Sequence, residues 1–175
     1  CARFGHSETD DQLDALEDVL SDFASGTATD RLICGDVGFG KTEIALRAAF
    51  VAAMAGYQVA LVTPTTLLAR QHGRLCEERF ADFPVKVATL SRMTTPKQAS
   101  LIRDGLSDGS VQLVVGTHAV LAKSISFNNL GLLIIDEEQR FGVGQKERLK
   151  ELRGDVHVLT LSATPIPRTL QLALS

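Results

Sequence analysis

Two short stretches of this chain carry residue types and spacings that could do phosphate chemistry. The first is Gly35-Asp36-Val37-Gly38-Phe39-Gly40-Lys41-Thr42, which fits G-x-x-x-x-G-K-[ST]. Its glycines let the backbone curl so that several N–H groups point at one anion. A helix opening at the end of the loop adds the positive end of its dipole. Lys41 is placed to reach the terminal phosphates of a triphosphate, and the Thr42 hydroxyl to ligate Mg2+. The second stretch is Leu132-Leu133-Ile134-Ile135-Asp136-Glu137-Glu138-Gln139, an apolar run that ends in carboxylates. Asp136 is placed to hold Mg2+ through water, and Glu137 to orient and deprotonate an attacking water. Phosphoryl transfer needs little beyond such positioning and charge stabilisation. An Asp-Glu pair after a strand is weak alone; downstream of a phosphate loop it becomes the second half of a nucleotide site.

These residues have to be presented by strands and helices, and the hydrophobic pattern supplies them. Leu13, Leu16, Val19, Leu20 and Phe23 recur at helical spacing over 9–23, with Thr9 and Gln12 matching a capping box. Short apolar runs at 31–34, 58–62, 85–90, 111–115, 130–136 and 157–161 read as strands. Helices are expected at 41–55, 65–80, 95–107 and 145–152, with another starting at 167. Gly56 is a good C-cap for the helix before it, and Thr95-Pro96 suits an N-cap followed by the first helical position. Strands apolar on both faces belong in a parallel sheet between helix layers. The expected fold is therefore a three-layer α/β/α P-loop NTPase domain with a mainly parallel central sheet. Ligands of such sheets bind beyond the carboxyl ends of the strands. Each polar motif follows an apolar strand directly, so the motifs are expected to meet on that edge.

Composition sets bounds on the alternatives. The chain has 175 residues, one ordinary domain, with 45% hydrophobic and 22% charged residues and a formal net charge of −3. That charge provides no overall basic field for nucleic acid, which argues mildly against a simple nucleic-acid-binding module but not against a motor gripping phosphates locally. Cys1, Cys34 and Cys76 are odd in number and widely spaced, and no two of the four histidines lie at ligand spacing. A disulfide framework and a zinc site are thus not expected, and a reducing, cytoplasmic setting is. No apolar run is long enough to span a bilayer, so no membrane partner is expected.

The guanine-reading Asn-Lys-x-Asp and the Leu-Ser-Gly-Gly-Gln of transporter ATPases are both missing. From Phe4 to Ser175 the chain instead resembles the first RecA-like motor domain of superfamily 2 helicases and translocases. Pro64-Thr65-Thr66-Leu67-Leu68-Ala69 is similar to that family's first DNA-contact motif, and Gly116-Thr117-His118 to the next. Ser162-Ala163-Thr164-Pro165 is similar to the motif coupling ATP hydrolysis to DNA movement. Arg140-Phe141-Gly142-Val143 and Pro165-Ile166-Pro167-Arg168 resemble two bacterial branches, the transcription-repair coupling factors and the RecG fork-remodelling helicases. The loop with Phe39 and the stretch from Pro64 to His72 look more like the coupling factors.

The resemblance implies ATP and Mg2+ as cofactors and double-stranded DNA as partner. It implies adenine contacts from Gln12 and an aromatic near His6, for which Phe4 is a candidate. It implies coupling through Gln139, Ser162 and Thr164, and DNA contacts from Thr65, Thr66, Arg70, Thr117, His118 and Arg140. It further implies that RNA polymerase and excision-repair proteins meet parts of a larger protein, whose second RecA-like domain, carrying an arginine finger, lies outside 1–175. Gln139 stands where coupling factors commonly have His; it keeps hydrogen bonding but cannot switch protons near neutral pH. Plainer roles remain open: Gln12, Thr65 and Thr66 as helix caps, His118 as a loop histidine, Arg140 as a surface charge, and the Ser162 and Thr164 hydroxyls bonding backbone at a strand end. A free-standing nucleotide switch using the same loop is the reading from another class.

Overall fold

The computed structural model describes residues 17–21, 23–26, 30–34, 38–137, 141–152 and 156–162. Six strands form one sheet: β1 (Asp30–Cys34), β2 (Gln58–Val62), β3 (Val87–Leu90), β4 (Leu113–Gly116), β5 (Leu130–Asp136) and β6 (His157–Ser162). Among the described residues, α-helices α1 (Gly38–Met54), α2 (Thr66–Arg79), α3 (Pro96–Asp108) and α4 (Val143–Leu152) lie between them. The sheet order is β1-β6-β5-β2-β4-β3, and every pairing is parallel. The all-parallel sheet between helices is the RecA-like architecture expected from the sequence.

Both sheet faces are buried, because successive side chains of a strand point to opposite faces. Along β5, Leu132 and Ile134 join one core cluster, while Leu133 and Ile135 join the other. The first cluster holds the inner face of α1, where Ala45, Ala48, Ala49 and Ala52 are almost fully buried. Alanines let that helix sit close to the sheet while adding little rotamer entropy cost. The second cluster includes Leu106 of α3 and Leu149 of α4.

Local chemistry sets the element ends. Thr95 caps α3 with a full capping box to Gln98, Pro96 opens the helix, and Gly109 closes it at φ 87°. Gly56, at φ 95°, lets the chain turn from α1 into β2. Helical residues at 17–21 and 23–24 continue the expected amphipathic helix, with Val19 in the core and the Phe23 ring edge-on to His157 at 4.9 Å.

Three boundaries differ from expectation. α1 starts at Gly38, inside the glycine-rich loop, so its first turn is part of that loop. β3 starts at Val87 rather than 85, because the Val85 N–H turns back to the Phe83 carbonyl at 2.7 Å across Pro84. β4 spans 113–116, since the Val111 N–H goes to the Gly105 carbonyl instead of a strand. A 3₁₀ helix at His118–Leu121 was not anticipated. Gly116 permits it: a Cβ there would strike the Leu90 carbonyl and Val120. The helix expected from 167 lies outside the described residues. Among the described residues, no helix is long and apolar enough to cross a membrane.

Candidate functional site

The strand registers bring the chemistry-bearing residues to one edge. Cys34 of β1 pairs with Ser162 of β6, and Leu161 of β6 with Asp136 of β5. Ile135 pairs with Val62 of β2, and Val62 with Gly116 of β4. The loop leading to Lys41, the Asp136–Glu137 pair, the Thr63–Thr66 stretch and the Thr117–His118 turn therefore all leave the same carboxyl edge of the sheet.

Lys41 and Thr42 lie in the first turn and a half of α1, after the strand end that Ser162 adjoins. Lys41 is buried, with 6% of its surface exposed. A lysine this enclosed calls for an anionic partner. Asp136 is likewise buried, at 9%. Thr42 lines a narrow gap between α1, α2 and the sheet together with His72, Leu61, Ile134 and Leu161. The Thr42 hydroxyl and the Asp136 carboxylate are hard oxygen donors, and no cluster of three or more His, Cys, Asp or Glu exists among the described residues. That donor set fits Mg2+, which is typically held by one or two protein oxygens plus substrate phosphates and water.

Glu137 departs from ordinary geometry. It is the non-glycine residue with positive φ among the described residues, at 58°, a left-handed conformation that costs roughly 1–3 kcal/mol. Its N–H still bonds the Leu161 carbonyl at 2.9 Å. The strand thus ends at Asp136, and the strain falls on the next residue, the one read as the base.

Two side chains missed in the sequence complete the surroundings. His72, on α2, places Nε2 at 3.3 Å from Asp136 Oδ2. It lies on the inner stripe of α2 with buried Ala69, Gly73 and Cys76. A histidine at that helical spacing, on the inner stripe of a helix that packs on the sheet, was the available clue. Glu43, next to Thr42, is buried and meets Arg79 of α2 at 3.2 Å and Arg47 at 4.0 Å. Burial, then the nearby Arg79 charge, lowers the Arg47 pKa from its ordinary value. This cluster fastens α2 to the helix that carries the phosphate loop.

The expected DNA-facing residues separate by exposure. Thr65 is exposed and caps α2, its hydroxyl accepting from the Leu68 N–H at 3.2 Å. Arg70 and His118 are exposed and Thr66 half-buried. Thr117 is 5% exposed, and its hydroxyl accepts from the Ala119 N–H at 3.5 Å; its side chain therefore shapes the turn rather than the surface. Ser162 is half-buried at the end of β6. Phe4, Gln12, Gly35, Asp36, Val37, Gln139, Arg140 and Thr164 lie outside the described residues, and Gly38, Phe39 and Gly40 are described as helical backbone.

Residues 9–173 match the DEAD/DEAH box helicase family. The chain belongs to that family. Its all-parallel sheet between helices is that of a superfamily 2 motor domain. The helicase domain is 54% identical over 174 residues to the transcription-repair-coupling factor of Haemophilus influenzae, covering 99% of this chain and 15% of that protein. It is 51% identical to the transcription-repair-coupling factor of Rickettsia bellii, covering 100% of this chain and 16% of that protein. Against a solved structure of RecG bound to a three-way DNA junction, the TM-score is 0.83 at 40% identity, covering 97% of this chain and 23% of that one. The helicase domain thus spans about one-seventh of the length of the curated relatives it matches.

Proposed function

We propose that this domain binds ATP with Mg2+ and uses its hydrolysis to drive movement on double-stranded DNA, as the first of two RecA-like domains in a transcription-repair coupling factor. The observation that carries the reading is the buried Lys41 at the head of α1, on the same sheet edge as the buried Asp136. Backbone N–H groups from Gly35 to Gly40 cradle the phosphates, and Lys41 neutralises the terminal ones. Thr42 and Asp136 would hold Mg2+, which would supply charge neutralisation to the phosphates. Glu137 orients the attacking water and accepts its proton. Gln12 and Phe4 contact adenine. Gln139, Ser162 and Thr164 relay the nucleotide state towards the DNA-facing residues, for which Thr65, Thr66, Arg70, His118 and Arg140 are the candidates. Thr117 contributes through the turn it shapes.

Identity of 54% to a coupling factor, against 40% to RecG, favours action in transcription-coupled repair over fork remodelling. RNA polymerase and excision-repair proteins would then be partners of the larger protein. On this reading a second RecA-like domain supplies an arginine finger worth about 10³-fold or more in rate, so separating the two domains is expected to slow ATP turnover by that order.

Lys41→Ala is expected to abolish nucleotide binding while the circular dichroism spectrum is retained. Glu137→Gln in the intact protein is expected to keep binding and lose turnover. Normal turnover by Glu137→Gln would assign the base elsewhere. Displacement of stalled RNA polymerase by the intact protein supports the coupling-factor reading; fork regression without displacement supports the RecG one.

A further inference from the structure

One helix touches both halves of the proposed machinery. Thr65, at the amino end of α2, is the exposed cap read as a DNA-phosphate contact. His72 lies seven residues further, about 10 Å along the axis at 1.5 Å per residue, and reaches Asp136. An ionised carboxylate only accepts hydrogen bonds, so the His72 Nε2 carries the hydrogen and donates. Asp136 Oδ2 is thereby occupied by α2. The contact is enclosed, the two side chains being 15% and 13% exposed. Ala69, Gly73 and Cys76 beside His72 are buried against the core, so the ring has little room to swing away. α2 is also tied to α1 through Arg79 and Glu43, so it moves with the phosphate-loop helix or strains against it.

We propose that His72 is a positioning residue for the magnesium-holding carboxylate. It fixes Asp136 with one oxygen turned to α2 and the other left for the metal–nucleotide complex. Because His72 and the DNA-facing cap share one helix, seating of DNA on the amino end of α2 is felt at Asp136 directly. The inference rests on the reading of Asp136 as the magnesium ligand. Hydrogen-bonded partners that orient a metal ligand typically change metal affinity by roughly 10–100-fold when removed.

The test uses the intact protein and a fluorescent ADP analogue, titrated in Mg2+ and in EDTA, with and without duplex DNA. Asp136→Asn is expected to remove the Mg2+ enhancement of affinity. His72→Ala is expected to weaken affinity in Mg2+ roughly 10-fold or more, to leave affinity in EDTA unchanged, and to blunt the DNA effect on Mg2+-dependent binding. His72→Gln, whose amide nitrogen stands where Nε2 does, is expected to restore most of both. An equal loss in Mg2+ and EDTA, or wild-type binding by His72→Ala, overturns the positioning role while Asp136→Asn still reports the metal site. If Asp136→Asn keeps the Mg2+ enhancement, the metal assignment falls and the His72 role with it.

Discussion

Gln58 is the most consequential polar residue in the sheet that nothing in the nucleotide chemistry requires. Its side chain is 2% exposed. The amide nitrogen donates to the Leu106 and Val111 carbonyls, both at 2.9 Å, and the oxygen accepts from the Asn129 N–H at 2.8 Å. Two carbonyl acceptors and one N–H donor fix the amide orientation without ambiguity. One side chain thereby joins the end of α3, the approach to β4 and the approach to β5 at the start of β2. Gln58→Leu would fit the space but strand the Val111 carbonyl and the Asn129 N–H; the Leu106 carbonyl keeps the Asn128 N–H at 3.0 Å. The stranded Val111 carbonyl is buried and costs about 1–3 kcal/mol. The Asn129 N–H, on an exposed residue, adds less, and about 1 kcal/mol returns from the added apolar burial, leaving a loss of about 2 kcal/mol. For a domain of this size that is a fall in Tm of roughly 4–8 °C. Urea and thermal unfolding of the 175-residue chain, followed by circular dichroism, measure it. Gln58→Glu should fall further, because a carboxylate has no N–H for the two carbonyls. If Gln58→Leu unfolds within about 1 kcal/mol of wild type, the reasoning that this network secures the strand starts is wrong.

The Glu43 cluster gives a second stability prediction. Glu43→Ala leaves two nearby guanidiniums, 10% and 16% exposed, without the carboxylate between them, and should cost about 3 kcal/mol in the same unfolding assay; Glu43→Ala combined with Arg79→Met should recover part of it. Cys76 is buried, and that burial pushes its thiol up to about 12. It is expected to resist thiol reagents in the native protein at mildly alkaline pH and to react only at the rate of unfolding, read by mass spectrometry of the labelled peptide.

The legible part of this protein was the part written in local pattern. Glycine spacing before Lys41, carboxylates closing an apolar run at Asp136, and strands apolar on both faces all reflect constraints acting within a few residues. They were enough for the RecA-like fold and the order of motifs, and Thr95-Pro96 was enough for a helix start. Boundaries were less legible where a single backbone hydrogen bond decides them, as at Val85 and Val111. The 3₁₀ turn after Gly116 depends on clearance from Leu90, a residue from a different strand.

The tertiary structure decided which side chains face one another. His72 read only as the end of a stretch resembling the coupling factors until α2, packed over β3 and β4, set its ring on Asp136. Glu43 read as the residue after Thr42 until Arg79, 36 positions away, closed on it. Thr117 read as a surface contact until the turn buried it. Sequence alone determined the glycine-rich run before Lys41 and the carboxylates closing β5, because glycine spacing and strand burial are patterns among neighbouring residues. The partners of those groups come from other strands and helices. Their identity follows only from strand order and helix packing, which no single stretch of sequence encodes.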